Sequence, residues 1–227
     1  SFSYDGANTK ALKSINMKFP FKKSIALVGK SGSGKSTIVD LITLIIKPTT
    51  GSLFIDGNSF ENIKLSSWRS QIGYVSQDTV IFDDTIANNI CMWEGDPKND
   101  LDLMKRIKIA AEQAFIANFI DTLSDGFDTQ VGDRGIRLSG GQLQRLFIAR
   151  ELFRKPNILI LDEATSALDS ATEKEIVNEI ARLKETKTMI VIAHRLTTLK
   201  HCDRIYKLQE GKIVNIGSYS EIIGEEN

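Results

Sequence analysis

The chain has 227 residues, 41% hydrophobic and 26% charged, with 29 Lys+Arg against 29 Asp+Glu and so no formal net charge. That length suits one large domain or one and a half average ones, and the balance lacks both the basic field of a nucleic-acid binder and an acidic tail. Its apolar runs are far too short to span a bilayer, no signal peptide is visible, and Cys91 and Cys202 lack C-x-x-C spacing, which argues against a zinc site or disulfide framework and fits a reducing compartment.

The chain opens on Ser1 rather than Met, close to a first strand, and so reads as a piece cut from a longer polypeptide. Tyr4 precedes two expected strands of an N-terminal sheet, residues 12–19 and 24–28. Gly29-Lys30-Ser31-Gly32-Ser33-Gly34-Lys35-Ser36-Thr37 follows and fits G-x-x-x-x-G-K-[S/T], the phosphate-binding loop. Its glycines allow backbone angles that other residues avoid, so N–H groups can converge on anionic oxygens. The helix that starts here adds its positive end. Lys35 supplies a charge for the outer phosphates, and Ser36 a hydroxyl for Mg²⁺. Ile38, Val39, Leu41, Ile42, Ile45 and Ile46 predict a helix ending near Lys47-Pro48.

Residues 51–57 read as a short strand closed by an Asp-Gly turn, and 72–75 as another strand, followed by Gln77. Helices are expected over 101–115 and 116–123, and a polar, glycine-rich loop over 125–138. A helix begins at Ser139. Residues 157–161 hold the continuous apolar run 158–161, the mark of a central parallel strand. Ser170-x-x-Glu173 predicts a capping box opening a helix to Leu183. A buried strand over 188–193 and a hairpin around Glu210-Gly211 complete the chain. The order is β-rich, then helical, then alternating β and α.

Asp162 and Glu163 follow the run 158–161 directly, at the carboxyl end where open α/β sheets bind ligands. If strands 24–28 and 158–161 are parallel neighbours, both acids reach the Mg²⁺ and γ-phosphate. Asp162 would then support the metal, and Glu163 would orient and deprotonate the attacking water.

Leu138-Ser139-Gly140-Gly141-Gln142 opens the helix at Ser139, and here the chain resembles the ATP-binding cassette (ABC) family, whose signature this is. A serine and two glycines at a helix N-terminus make a second anion site. Two phosphate-binding ends beside one hydrolytic set suggest that one of them completes the pocket of another copy. The resemblance covers essentially the whole chain and implies that arrangement: two domains clasp two ATP molecules head to tail, each between the loop of one and the signature of the other. It also implies a P-loop NTPase (RecA-like) α/β core with an N-terminal antiparallel β subdomain and an inserted helical subdomain.

By the same resemblance Tyr4 stacks on adenine, and Gln77 senses Mg²⁺ and the γ-phosphate. Ser166-Ala167-Leu168-Asp169 crosses the dimer interface, and His194 contacts the γ-phosphate and holds the water. The catalytic set is then Glu163, His194, Lys35 and Gln77, with Ser36, Gln77 and Asp162 around the metal. ATP lies against Tyr4, residues 29–37 and, from the other copy, Ser139, Gly140, Gly141 and Gln142. Residues 129–135 and 82–90 are similar to exporter-type members, which implies a membrane-spanning partner domain in the same polypeptide, on the cytoplasmic side of the cell membrane, and no nucleic acid. Lys22-Lys23 stand where many members have glycine, a departure that bears on the local turn. The chain is expected to be one ATPase domain, with 1–82 and 152–227 forming the catalytic core and β subdomain and 83–151 the helical subdomain. A cassette ATPase without transport work is the alternative. A P-loop GTPase lacks support, because no Asn-Lys-x-Asp is present.

Overall fold

The computed structural model describes residues 1–76, 80–133, 135–162, 170–193 and 195–223. In chain order its elements are β1 (Ser24–Val28), α1 (Lys35–Ile42), the hairpin of β2 (Phe54–Ile55) and β3 (Asn58–Ser59), α2 (Leu65–Arg69) and β4 (Ile72–Val75). Then come β5 (Asp84–Thr85), α3 (Ile86–Cys91), α4 (Leu101–Gln113), α5 (Ala117–Ile120), β6 (Gln130–Val131) and α6 (Gly140–Phe153). The last part holds β7 (Ile158–Asp162), α7 (Ser170–Leu183), β8 (Thr188–Ile192), α8 (Leu196–Leu199), β9 (Arg204–Gln209), β10 (Lys212–Gly217) and α9 (Tyr219–Ile223).

The main sheet has the order β10-β9-β1-β8-β7-β4. Its strands are parallel except β10, which returns antiparallel to β9 at the edge. Successive side chains of a strand point to opposite faces, and here both faces are buried. Ile25, Leu27, Ile160, Ile190 and Ile192 pack in one core with Ile38 and Val39 of α1. Ala26, Leu159, Leu161, Met189 and Val191 pack in a second core with α3, α4 and α6. Burial on both sides is why these strands read as unbroken apolar runs. The mixed α/β architecture with a parallel-rich sheet is the one expected.

Several local expectations are corrected. β1 and β7 are parallel but not neighbours, because β8 lies between them. Residues 12–19 form no strand. They alternate inward and outward as an extended chain, yet only Phe2 and Leu12 make a bridge, and Ser14 turns left-handed at φ 53°. That turn breaks the ladder, and Lys13 N–H donates to Gly211 O instead. α1 stops at Ile42 because Leu44 also takes a left-handed φ of 55°. Its last carbonyls find side-chain donors on α2: Trp68 Nε1 donates to Ile42 O, and Arg69 to Thr43 O and Leu44 O. The stretch 125–138, expected as loop, contributes β6, which pairs antiparallel with β5. Lys22 holds the turn before β1 at φ 53°, the backbone region glycine favours, while its N–H donates to Thr188 Oγ1. α6 runs unbroken through residues 151 and 152 and packs against α3, α4 and β4.

Candidate functional site

Residues 29–34 link the carboxyl end of β1 to the N-terminus of α1. A Cβ on Gly29 would lie 2.6 Å from Ser33 Oγ and overlap Leu208 O; one on Gly34 would lie 2.6 Å from Leu12 Cδ2. These glycines are therefore required by the surrounding protein as well as by the loop's positive φ. No side chain caps α1, so its first turn presents backbone donors at the loop. Lys35 is buried, with Nζ 2.7 Å from Gly29 O and 3.2 Å from Lys30 O, and so stays inside the loop it is expected to serve. Lys30, Ser31, Gly32 and Ser36 are exposed, whereas Ser33 is buried and its Oγ makes no hydrogen bond. Thr37 is buried, and its hydroxyl lies 3.1 Å from the Tyr4 hydroxyl. The bond sets the half-exposed Tyr4 ring beside the first turn of α1, edge-on to Phe2.

The acidic side is reached across the sheet. Leu27 pairs with Ile192, and Ile192 with Asp162. Asp162 thus stands two strand spacings from β1, roughly 10 Å, at the same carboxyl edge as the loop. The intervening strand does not take the acid away from the loop, because α1 crosses toward it. Asp40, one helical turn after Ser36 and on the same side of α1, has its carboxyl pushed up by burial and by the negative charge of Asp162. Tyr74 donates its O–H to Asp162 Oδ2 at 2.9 Å.

Asp162 and Asp40 offer carboxylate oxygens of the kind Mg²⁺ takes, and Ser36, one helical turn before Asp40, is exposed. Among the described residues no three His, Cys, Asp or Glu cluster as a protein cage. Mg²⁺ takes one or two carboxylates and completes its shell with water and substrate phosphates.

The helix N-terminus at Ser139 is capped reciprocally. Ser139 Oγ accepts from Gln142 N–H, and Gln142 Oε1 accepts from Ser139 N–H at 2.8 Å. Gln142 therefore shapes the turn, while Ser139 and Gly140 remain exposed. Gly141 is buried for a packing reason: a Cβ there would overlap Thr172 Cγ2 on α7. The box expected at the start of α7 involves the side chain of Ser170, which lies outside what is described; the buried Glu173 carboxylate accepts from Arg195 Nη1 and Thr197 Oγ1. Gln77, Glu163, Ser166, Ala167, Leu168, Asp169, Arg134 and His194 lie outside the described residues.

One connection was absent from the sequence reading. Arg150 on α6 donates to Asn89 O, Asn89 Oδ1 and Val80 O, with its guanidinium beside the Phe82 and Phe147 rings. Asn89 is fully buried and also bonds Phe82 and Thr85. This node, together with β5–β6, ties the two exporter-like stretches to the helix that carries the signature. The available signal was a polar residue flanked by apolar ones on a buried face, Asn89 beside Ile90 and Arg150 beside Ala149.

Comparison with known proteins bears on the whole chain. A family model described as ABC transporter matches residues 12–166. The ATP-dependent lipid A-core flippase of Ralstonia nicotianae is 43% identical over 226 residues, covering 100% of this chain and 38% of the relative. The flippase of the same description from Shewanella frigidimarina is 46% identical over 227 residues, with 99% and 37% coverage. A solved structure described as a bacterial Atm1-family ABC exporter with ATP bound superposes with a TM-score of 0.84 at 38% identity, over 100% of this chain and 38% of that one. The chain thus spans less than two-fifths of the length of these relatives. Since the family match runs through the phosphate loop, the Leu138–Gln142 signature and the acids Asp162 and Glu163, the chain belongs to the ABC transporter family.

Proposed function

We propose that this chain is the ATP-binding and ATP-hydrolysing domain of a membrane exporter, and that it works as one of two copies closed around two ATP molecules. The observation that carries this is the pair of helix N-termini: one follows the phosphate loop and has no side-chain cap, and the other is capped and presents Ser139 and Gly140 to solvent. Residues 1–227 act as one ATPase domain, with 83–151 as its helical part. The relatives' greater length supports a membrane-spanning domain in the same polypeptide, and their flippase and exporter names support transport over the soluble alternative. Such a domain sits on the cytoplasmic side of the membrane.

In this reading Tyr4 stacks on adenine, worth about 1–3 kcal/mol by analogy with base–aromatic contacts. Residues 29–37 wrap the phosphates, and Lys35 offsets charge on the outer ones. Glu163 takes a proton from a water whose oxygen attacks the γ-phosphorus as the bond to the bridging oxygen breaks. His194 and Gln77 hold the water and γ-phosphate in line. Ser139, Gly140, Gly141 and Gln142 of the second copy close the far side. Ser36 and Asp162, with Gln77, would hold Mg²⁺, which when bound neutralises charge building on the phosphate oxygens. ATP closure and product release then move the membrane domains as a nucleotide-biased switch. In the intact protein, Lys35→Ala is expected to abolish ATP binding in an equilibrium titration; unchanged affinity would remove Lys35 from the pocket and with it the site as drawn.

A further inference from the structure

We propose that Tyr74 is a positioning residue that sets the rotation of the Asp162 carboxylate for a divalent cation; this rests on the reading of Asp162 as a metal-supporting residue. Tyr74 lies in β4, next to β7, with its Cα opposite Ile160. From there its hydroxyl reaches two residues up the neighbouring strand and donates to Asp162 Oδ2 at 2.9 Å. The last torsion of an aspartate is broad, with no single staggered well, so a donor on one oxygen decides where the other points.

Tyr74 is itself held. Its backbone N–H donates to Glu151 Oε2 at 3.1 Å, and Glu151 belongs to α6, the helix that begins at the signature. The line Glu151–Tyr74–Asp162 therefore runs from the signature helix, across the edge strand, to the acid. Ring and strand would survive loss of the hydroxyl, so the contact can be removed without taking apart the fold. Donors that orient a metal-bound group typically matter by about 10- to 100-fold in metal affinity or activity.

The test is Tyr74→Phe in the intact protein, with Mn²⁺ binding followed by electron paramagnetic resonance in the presence of a non-hydrolysable ATP analogue. Mg²⁺ dependence of ATP turnover is measured in parallel. The half-saturating Mn²⁺ concentration should rise about tenfold, and turnover lost at low Mg²⁺ should return as Mg²⁺ is raised. In an Asp162→Asn background the same change should have no further effect on Mn²⁺. Wild-type Mn²⁺ affinity in Tyr74→Phe overturns the proposal, as does an equal loss in the Asp162→Asn background, which would mean that Tyr74 acts elsewhere. If Asp162→Asn alone leaves Mn²⁺ binding unchanged, the reading of Asp162 as a metal residue fails, and the role of Tyr74 falls with it.

Discussion

Replacing Arg150 by methionine should loosen α3 from α6 without touching any residue expected to meet ATP. Arg150 is only 8% exposed and makes three hydrogen bonds, two to Asn89 and one to Val80 O. Burial pulls its pKa down, with the nearby Glu151 charge opposing, and the guanidinium remains well matched to its acceptors. Methionine keeps the apolar stem and removes all the donors. Val80 is exposed, so its carbonyl can turn to water, and Asn89 Oδ1 still accepts from Phe82 N–H. Asn89 O, in a fully buried residue, loses its Arg150 partner, and an orphaned buried acceptor costs about 1–3 kcal/mol. Two cation–ring contacts are lost as well, each worth roughly 0.5–1 kcal/mol. Relief of the buried charge offsets part of this, leaving a net loss of about 3 kcal/mol or slightly less. At 1.4 kcal/mol per factor of ten, amides of Asn89, Ile90, Cys91 and Met92 should exchange with solvent about a hundredfold faster. Hydrogen exchange on the intact protein reads this locally. Arg150→Lys should recover little, since one ammonium cannot reproduce the fork. Exchange within about threefold of the wild type in Arg150→Met would refute the view that this node holds α3 to α6.

Gly141→Ala should push α6 from α7 and cost about 1–3 kcal/mol by overpacking, and adding Thr172→Ser, which deletes the Cγ2 it meets, should restore most of the lost stability in thermal unfolding; failure of that rescue would remove the packing account. Glu163→Gln should bind ATP normally yet lose most turnover in a phosphate-release assay, and unaltered turnover would show that another group accepts the proton. Burial pushes the Asp84 carboxyl up, but bonds from Asn88, the Thr85 N–H and Trp93 outweigh it and hold the pKa below the ordinary carboxylate range. A lowered folded pKa contributes stability in full above the unfolded value of about 3.9, lost as pH falls through the folded one. Wild type should therefore shed stability on the acid side of about pH 4 that Asp84→Asn never had; parallel acid-unfolding curves would contradict this.

Legibility of the fold followed the length and periodicity of each signal. β1, β7 and β8 were readable because burial on both faces leaves unbroken apolar runs, and α6 because Ser139 and Gln142 form a local cap. What failed depended on partners distant in sequence. Residues 12–19 alternate as a strand should, yet among the described residues their pairing stops at the Phe2–Leu12 bridge, and the apolar stripe to Ile46 outlasts α1 because side chains from α2 take its end. The insertion of β8 between β1 and β7 is a matter of topology, invisible in either strand. Phosphate chemistry restricts the spacing of motif residues, which is why the phosphate loop between β1 and α1 could be placed from the sequence. Tyr74, Asp40 and Arg150 were not legible, since their roles come from a strand, a helix face and a buried amide that only the fold brings near.

The central claim is that each ATP pocket is shared between two copies, and complementation tests it most directly. Lys35→Ala spoils the loop of one copy, and Ser139→Arg the signature of the other. Mixed dimers then rebuild one intact pocket from two defective chains, so co-expressed variants should turn over ATP at up to roughly a quarter of the wild-type rate while each alone is inert. If the mixture is as dead as its components, or if Ser139→Arg alone retains full turnover, each copy carries its own complete pocket and the shared-site account is wrong.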